Sequence, residues 1–188
     1  MGLGNPGPEY GETRHNAGFR LAEHLVSRWR LGPLRRDGRA RSAEGSWNGH
    51  PVKVMLPTTY MNRSGAAVAP LLDLPGFDPA QHLLILSDEA ALPLGRFRLR
   101  GAGSAGGHNG LKSVEGVLRR QDYARLRIGV GPRPVEIDDL ADFVLGDFSP
   151  GEREALDELL PVMGDAVECW IEEGIERAMS RFNRPPER

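Results

Sequence analysis

Leu83-Leu84-Ile85-Leu86-Ser87-Asp88 puts four aliphatic residues in a row and follows them at once with a hydroxyl and a carboxylate. A strand wetted on one face alternates apolar and polar side chains. An unbroken apolar run is the mark of a strand buried on both faces, which needs helices above and below its sheet. The flanking sequence supplies such elements. His15 to Leu31 carries Phe19, Ala22, Leu25, Val26 and Trp29 at helical spacing. Pro51 to Leu56 alternates and predicts a strand, and Asn62 to Leu72 a short helix with Asn62 near its start. Arg96 to Arg100 predicts a strand with one wet face, Asn109 to Arg120 a helix, and Arg125 to Val130 another strand. Asp138 to Leu145 and Ser149 to Glu173 read as helices, the second expected to break or kink at Pro161 and Gly164. The pattern predicts one α/β domain over residues 1–183, a mixed, mostly parallel sheet flanked by helices, and a frayed tail over 184–188. In such sheets a ligand cleft lies beyond the carboxyl ends of the strands, where Asp88 falls.

The bulk properties are those of an ordinary globular chain. Its 188 residues suffice for one core, with 39% hydrophobic and 27% charged residues. No apolar run approaches the roughly 18 residues that cross a bilayer. The start shows no basic segment followed by an apolar one, and the single Cys169 can form no internal disulfide, so a cytoplasmic setting is expected. The net charge of −2 hides an asymmetry. Residues 96–128 carry eight basic side chains against Glu115 and Asp122, net +6, whereas 134–176 carry fourteen acidic ones against Arg153, net −13. Local potential steers association, so a polyanionic partner remains compatible with this chain; two solvated faces are the plainer reading.

Three polar clusters hold the candidate chemistry: residues 2–10 running on to Arg14-His15-Asn16, then 58–65, then Gly106-Gly107-His108-Asn109-Gly110. His15 is the first candidate base, since imidazole accepts a proton near neutral pH; His108 is its rival. Asp88 either orients an imidazole or caps the turn that follows. Asn5, Asn62 and Asn109 each offer a donor and an acceptor for carbonyls, a water or an oxyanion. Other chemistries fit poorly. One Cys and dispersed His give no zinc spacing, and Pro6 disrupts a dinucleotide fingerprint. There is no Gly-x-Ser-x-Gly elbow. Gly103 to Gly107 lacks a P-loop lysine and suits a flexible lid or an anion nest.

Taken in order, the stretches GLGNPGPEY (2–10), TRHNAG (13–18), PTTYMNRSG (57–65), SDEAALPLG (87–95), GSAGGHNGLKS (103–113), RLRIGVGP (125–132) and DFVLGDF (142–148) resemble bacterial-type peptidyl-tRNA hydrolase. The resemblance implies a single-domain α/β enzyme, monomeric and without metal or cofactor, that cleaves the ester between a peptide and the 3′ end of its tRNA. By motif, His15 resembles the catalytic base and Asp88 its orienting carboxylate. Asn5, Met61 and Asn62 resemble the residues that hold the peptide main chain. Asn109 resembles the one that positions water, and Tyr10 and His108 resemble cleft residues. Arg96, Arg98 and Arg127 lie near positions that face tRNA phosphates. Ser87 stands where the family often has His, and Ala91 where it usually has Asp. Only Met1 precedes Gly2 where the family usually has an apolar strand, so a truncated first central strand is expected. Two other readings compete: an RNA-binding module of the same fold with impaired catalysis, and an unrelated small-molecule hydrolase.

Overall fold

In the computed structural model, which describes residues 1–183, the apolar run opens a ten-residue strand. The strands are β1 (Arg35–Asp37), β2 (Ala40–Trp47), β3 (His50–Pro57), β4 (Leu84–Pro93), β5 (Phe97–Arg100) and β6 (Ala124–Gly131). The helices are α1 (Ala17–Arg28), α2 (Gly65–Val68), α3 (Pro79–His82), α4 (Asn109–Leu118), α5 (Leu140–Leu145), α6 (Pro150–Glu173) and α7 (Ile175–Phe182). β4 is buried on both faces. Leu84 and Leu86 join a core with Leu21 and Leu25 of α1 and Leu156 and Met163 of α6. Ile85 points the other way, into a core with Leu3, Met61, Val68, Leu111 and Val114.

The strands form two three-stranded sheets, ordered β1-β2-β3 and β4-β6-β5. The expectation of a mostly parallel sheet fails. β4 and β6 pair in parallel, from Leu84↔Ala124 to Glu89↔Gly129, but the β1/β2, β2/β3 and β5/β6 ladders are antiparallel. Two of these ladders, β1/β2 and β2/β3, follow from tight hairpins, since a short connection can only join antiparallel strands. Asn48-Gly49 links β2 to β3 with positive φ at both residues, 48° and 84°. Such an Asn-Gly pair is a strong hairpin signal in sequence. The strand before it, Ala-Arg-Ser-Ala-Glu-Gly-Ser-Trp, has no β-branched residue and only Trp47 among the types that mark strands, which conceals it.

Met1–Leu3 run between the two sheets in the place of the expected short first strand. Leu86 N–H donates to Met1 O at 2.9 Å, Leu3 N–H to Leu86 O at 2.9 Å, and Gly2 N–H to Met55 O at 3.0 Å. These three residues thus tie β4 to β3, with Gly2 and Leu86 as an isolated parallel bridge. Beside Met1, a groove of about 570 Å³ lies between the starts of β3 and β4, lined in part by Val52, Val54, Leu84 and Trp170.

The remaining expectations compare element by element. The predicted 62–72 helix is split into 3₁₀ turns at Met61–Arg63 and Ala69–Asp73 around α2. The break expected at Pro161 and Gly164 does not occur, because α6 runs unbroken from a capping box at Ser149 and Glu152 to Glu173. Arg28 of α1 lies across it, donating to Pro161 O at 2.9 Å, and a Cβ on Gly164 would meet that guanidinium. The tail expected over 184–188 lies outside the described residues.

Candidate active site

Asp88 does not follow the end of its strand; it is inside β4, paired with Ile128, and only 4% exposed. Burial alone would raise its carboxyl. The imidazoles of His108 and His15 outweigh that and hold it well below the usual carboxylate range. Both rings point at one oxygen: His15 Nδ1 is 2.9 Å and His108 Nε2 2.8 Å from Asp88 Oδ1. The ring centroids are 4.9 Å apart. His15 comes from the 3₁₀ turn Arg14–Asn16 that leads into α1, and His108 from the N-cap of α4. Nε2 of His15 makes no hydrogen bond among the described residues, and His15 lines a cleft of about 690 Å³.

Asn5 faces the same cleft in a fixed orientation. Its backbone N–H donates to Asn16 Oδ1 at 2.8 Å, and Asn16 Nδ2 donates back to Asn5 O at 3.0 Å. The Met61 N–H donates to Asn5 Oδ1 at 2.8 Å. A backbone N–H can only donate, so the atom it meets must be the oxygen. The amide NH₂ of Asn5 is therefore left for a ligand. Met61 is buried, whereas Asn62 and Asn109 are exposed on the cleft rim. Asn16, named in the sequence without a role, is what holds Asn5.

Tyr10 does not line this cleft; it packs edge-on against Tyr60, with centroids 6.3 Å apart, and Tyr60 does line it. The far wall, built from Arg133, Asp139 and the apolar side of α5 with Leu140, Val144 and Leu145, was not legible as part of a site. Nothing in sequence marked this wall; its leucines show only in the structure as exposed apolar side chains, 46% for Leu140 and 43% for Leu145.

The three arginines fare differently. Arg96 and Arg98 are exposed and make no ion pair among the described residues. Arg127 is half-buried, with Nη1 on Glu89 at 2.9 Å and Nη2 on Ser104 O at 2.9 Å. Arg98 and Arg127 are direct cross-strand partners on β5 and β6. Next to them Arg125, fully buried, stacks on Tyr123 at 4.1 Å and donates to Ser104 O at 3.1 Å. The two β6 arginines thus anchor the glycine-rich loop at one carbonyl, Ser104 O.

His15, Asp88 and His108 are also the one His/Cys/Asp/Glu group among the described residues with ligand atoms within 4.8 Å of one another. The separations of 2.9 and 2.8 Å from the two ring nitrogens to Asp88 Oδ1 are ordinary hydrogen-bond lengths. Ser87, at one of the departures from the family pattern, has its Oγ buried without a hydrogen-bond partner among the described residues. Ala91, at the other, is exposed.

Comparison with known proteins agrees along the whole chain. The family described as peptidyl-tRNA hydrolase matches residues 1–188. A peptidyl-tRNA hydrolase from Gemmatimonas aurantiaca is 49% identical over 186 residues, covering 98% of this chain and 98% of that protein. One from Chloroflexus aggregans is 45% identical over 183 residues, covering 97% of each. The crystal structure of peptidyl-tRNA hydrolase from Acinetobacter baumannii superposes with a TM-score of 0.88 at 36% identity, covering 97% of this chain and 92% of that one. With the fold, the paired imidazoles on a buried carboxylate and these matches in hand, the chain belongs to the peptidyl-tRNA hydrolase family.

Proposed function

We propose that this cleft hydrolyses the ester joining a peptide to the 3′ end of tRNA by general-base catalysis, with His15 as the base and water as the nucleophile. The observation that carries the reading is the His15–Asp88 hydrogen bond of 2.9 Å at the edge of a cleft that also receives the free amide of Asn5. Asp88 holds the proton on Nδ1 of His15, so the Nε2 lone pair takes a proton from water as the water oxygen attacks the ester carbonyl. The tetrahedral intermediate then expels the ribose oxygen, which recovers that proton from His15. The products are free tRNA and the peptide acid, which gives its carboxyl proton to solvent and leaves as a carboxylate. Asn109 on the rim positions the water. Asn5, Asn62 and the Met61 segment hold the peptide main chain, and amide donors aimed at the developing oxyanion lower the barrier further. Tyr10 acts through Tyr60, which it supports.

The tRNA meets the β5–β6 face through Arg96, Arg98 and Arg127. Two arginines directly opposite across a ladder repel one another. Glu89 relieves that repulsion from one side, and a phosphate across the pair would relieve it from the other. This contact reads phosphate, not base sequence. The protein works as a monomer in the cytoplasm and needs no metal or cofactor. The impaired RNA-binding alternative would need a cleft distorted by the short N-terminal link, but Asn5 is held at both its backbone and its side chain.

The test is release of free tRNA from a labelled N-blocked aminoacyl-tRNA by the purified protein, beside an N-blocked amino-acid ester without RNA. Fast release from the first and slow turnover of the second is expected. Binding of the RNA without release would overturn the reading in favour of a binding module.

A further inference from the structure

We propose that His108 is a positioning residue: it caps α4 through Nδ1, is thereby held as the Nε2–H tautomer, and with that N–H pins the Asp88 carboxylate against His15. The inference rests on the hydrolase reading above and assigns His108 a different part from peptide binding.

The backbone N–H groups of Gly110 and Leu111 point at His108 Nδ1, at 3.1 and 3.3 Å. They are two of the four donors that the start of a helix leaves unpaired. A backbone N–H cannot accept, so Nδ1 must present its lone pair. A neutral imidazole with a bare Nδ1 carries its proton on Nε2. That nitrogen is 2.8 Å from Asp88 Oδ1 and donates to it. The same oxygen accepts from His15 Nδ1 at 2.9 Å, which leaves His15 with a bare Nε2, the form a general base requires. One helix start thus sets two tautomers through one carboxylate oxygen.

The packing leaves the His108 ring little freedom. A Cβ on Gly110 would run into Met61 Sδ and Leu3 Cδ1, and would stand 3.1 Å from His108 Cε1. The ring is therefore wedged beside the segment whose N–H fixes Asn5. With both nitrogens engaged, His108 is neither an alternative base nor a donor to substrate.

Two measurements test this. Histidine ring nitrogens labelled with ¹⁵N, observed at neutral pH in the full chain, should show Nε2–H for His108 and Nδ1–H for His15. A His108 ring protonated on Nδ1, alone or as the cation, would overturn the proposal. The second measurement is kinetic. His108→Asn keeps a favoured cap acceptor but does not extend to the place of Nε2. It should melt close to wild type, bind peptidyl-tRNA with an unchanged KM, and lose roughly tenfold or more in kcat, a fraction of what general-base catalysis contributes. His15 in this variant should show a mixture of tautomers. His108→Ala, which loses the cap as well, should also melt lower. A raised KM with kcat intact in His108→Asn would make His108 a substrate-binding residue and sink the idea. An inactive wild type with the expected tautomers would instead count against the hydrolase reading while leaving the hydrogen-bond assignment in place.

Discussion

Asp88 Oδ1 accepts two imidazole N–H groups inside a protein core, and this single atom organises the site. Its carboxyl is held well below the usual range: burial opposes ionisation, but the two imidazoles more than compensate. A carboxylate with a depressed folded pKa stabilises the fold above its unfolded pKa and loses that contribution only as pH falls through the folded one. Asp88 should therefore stay ionised across every pH at which the enzyme works, and kcat/KM should show no limb near the ordinary carboxylate pKa of about 4. A limb there that disappears in Asp88→Asn would contradict this. His15→Ala should cost roughly 10²–10⁴ in kcat, the usual worth of a general base, with an unchanged circular dichroism spectrum and tRNA affinity. Asp88→Asn should also slow turnover by misorienting the ring. Retention of most activity by His15→Ala would remove the base assignment. The residue types at 5, 15, 62 and 109 were legible in sequence because each stands in an unusual polar run, and Asp88 because it follows an unbroken apolar one. That His108 serves the helix and the carboxylate together was not, since no spacing encodes which lone pair faces which donor.

Among the elements, α1 is held by close contact as much as by its apolar face. A Cβ on Gly18 would overlap Leu86 O and the backbone N and O of Leu3, so the helix touches both β4 and the Met1–Leu3 link. Ala is the better helix former by about 1 kcal/mol, but the overlap is with backbone, which cannot rotate away, and overpacking costs about 1–3 kcal/mol or more. Gly18→Ala should accordingly lower the denaturant midpoint, and a rise in stability would show that the approach is looser than described. For β5 and β6, the expected readout is ionic strength. Each phosphate neutralised contributes roughly 0.7–0.9 to the slope of log affinity against log salt. Replacing Arg96, Arg98 and Arg127 with Ala should flatten that slope and weaken tRNA binding while sparing a short ester substrate. An unchanged slope would place the RNA elsewhere. The apolar periodicity of α1 and the unbroken run of β4 made both elements readable. β2 escaped because its sequence lacks strand formers, and α6 passed through Pro161 because packing against α1 overrides a local preference.

Over the whole molecule, the acidic segment is partly neutralised from within. Arg14 pairs with Glu152 at 2.9 Å, Arg20 with Asp157 at 2.7 Å and Arg28 with Glu168 at 2.7 Å, which zips the start of the chain and α1 onto α6. By itself the sequence determined the layered α/β class, the central buried strand and the polar residues available for chemistry. These follow from periodicity and residue type, which are local. Only the tertiary structure decided that three of the four ladders are antiparallel, that Asp88 lies within its strand, that Arg127 is shared with Glu89, and that two imidazoles meet on one oxygen. Those are distances between residues far apart in the chain, set by how hairpins and helices pack, and no short stretch of sequence contains them.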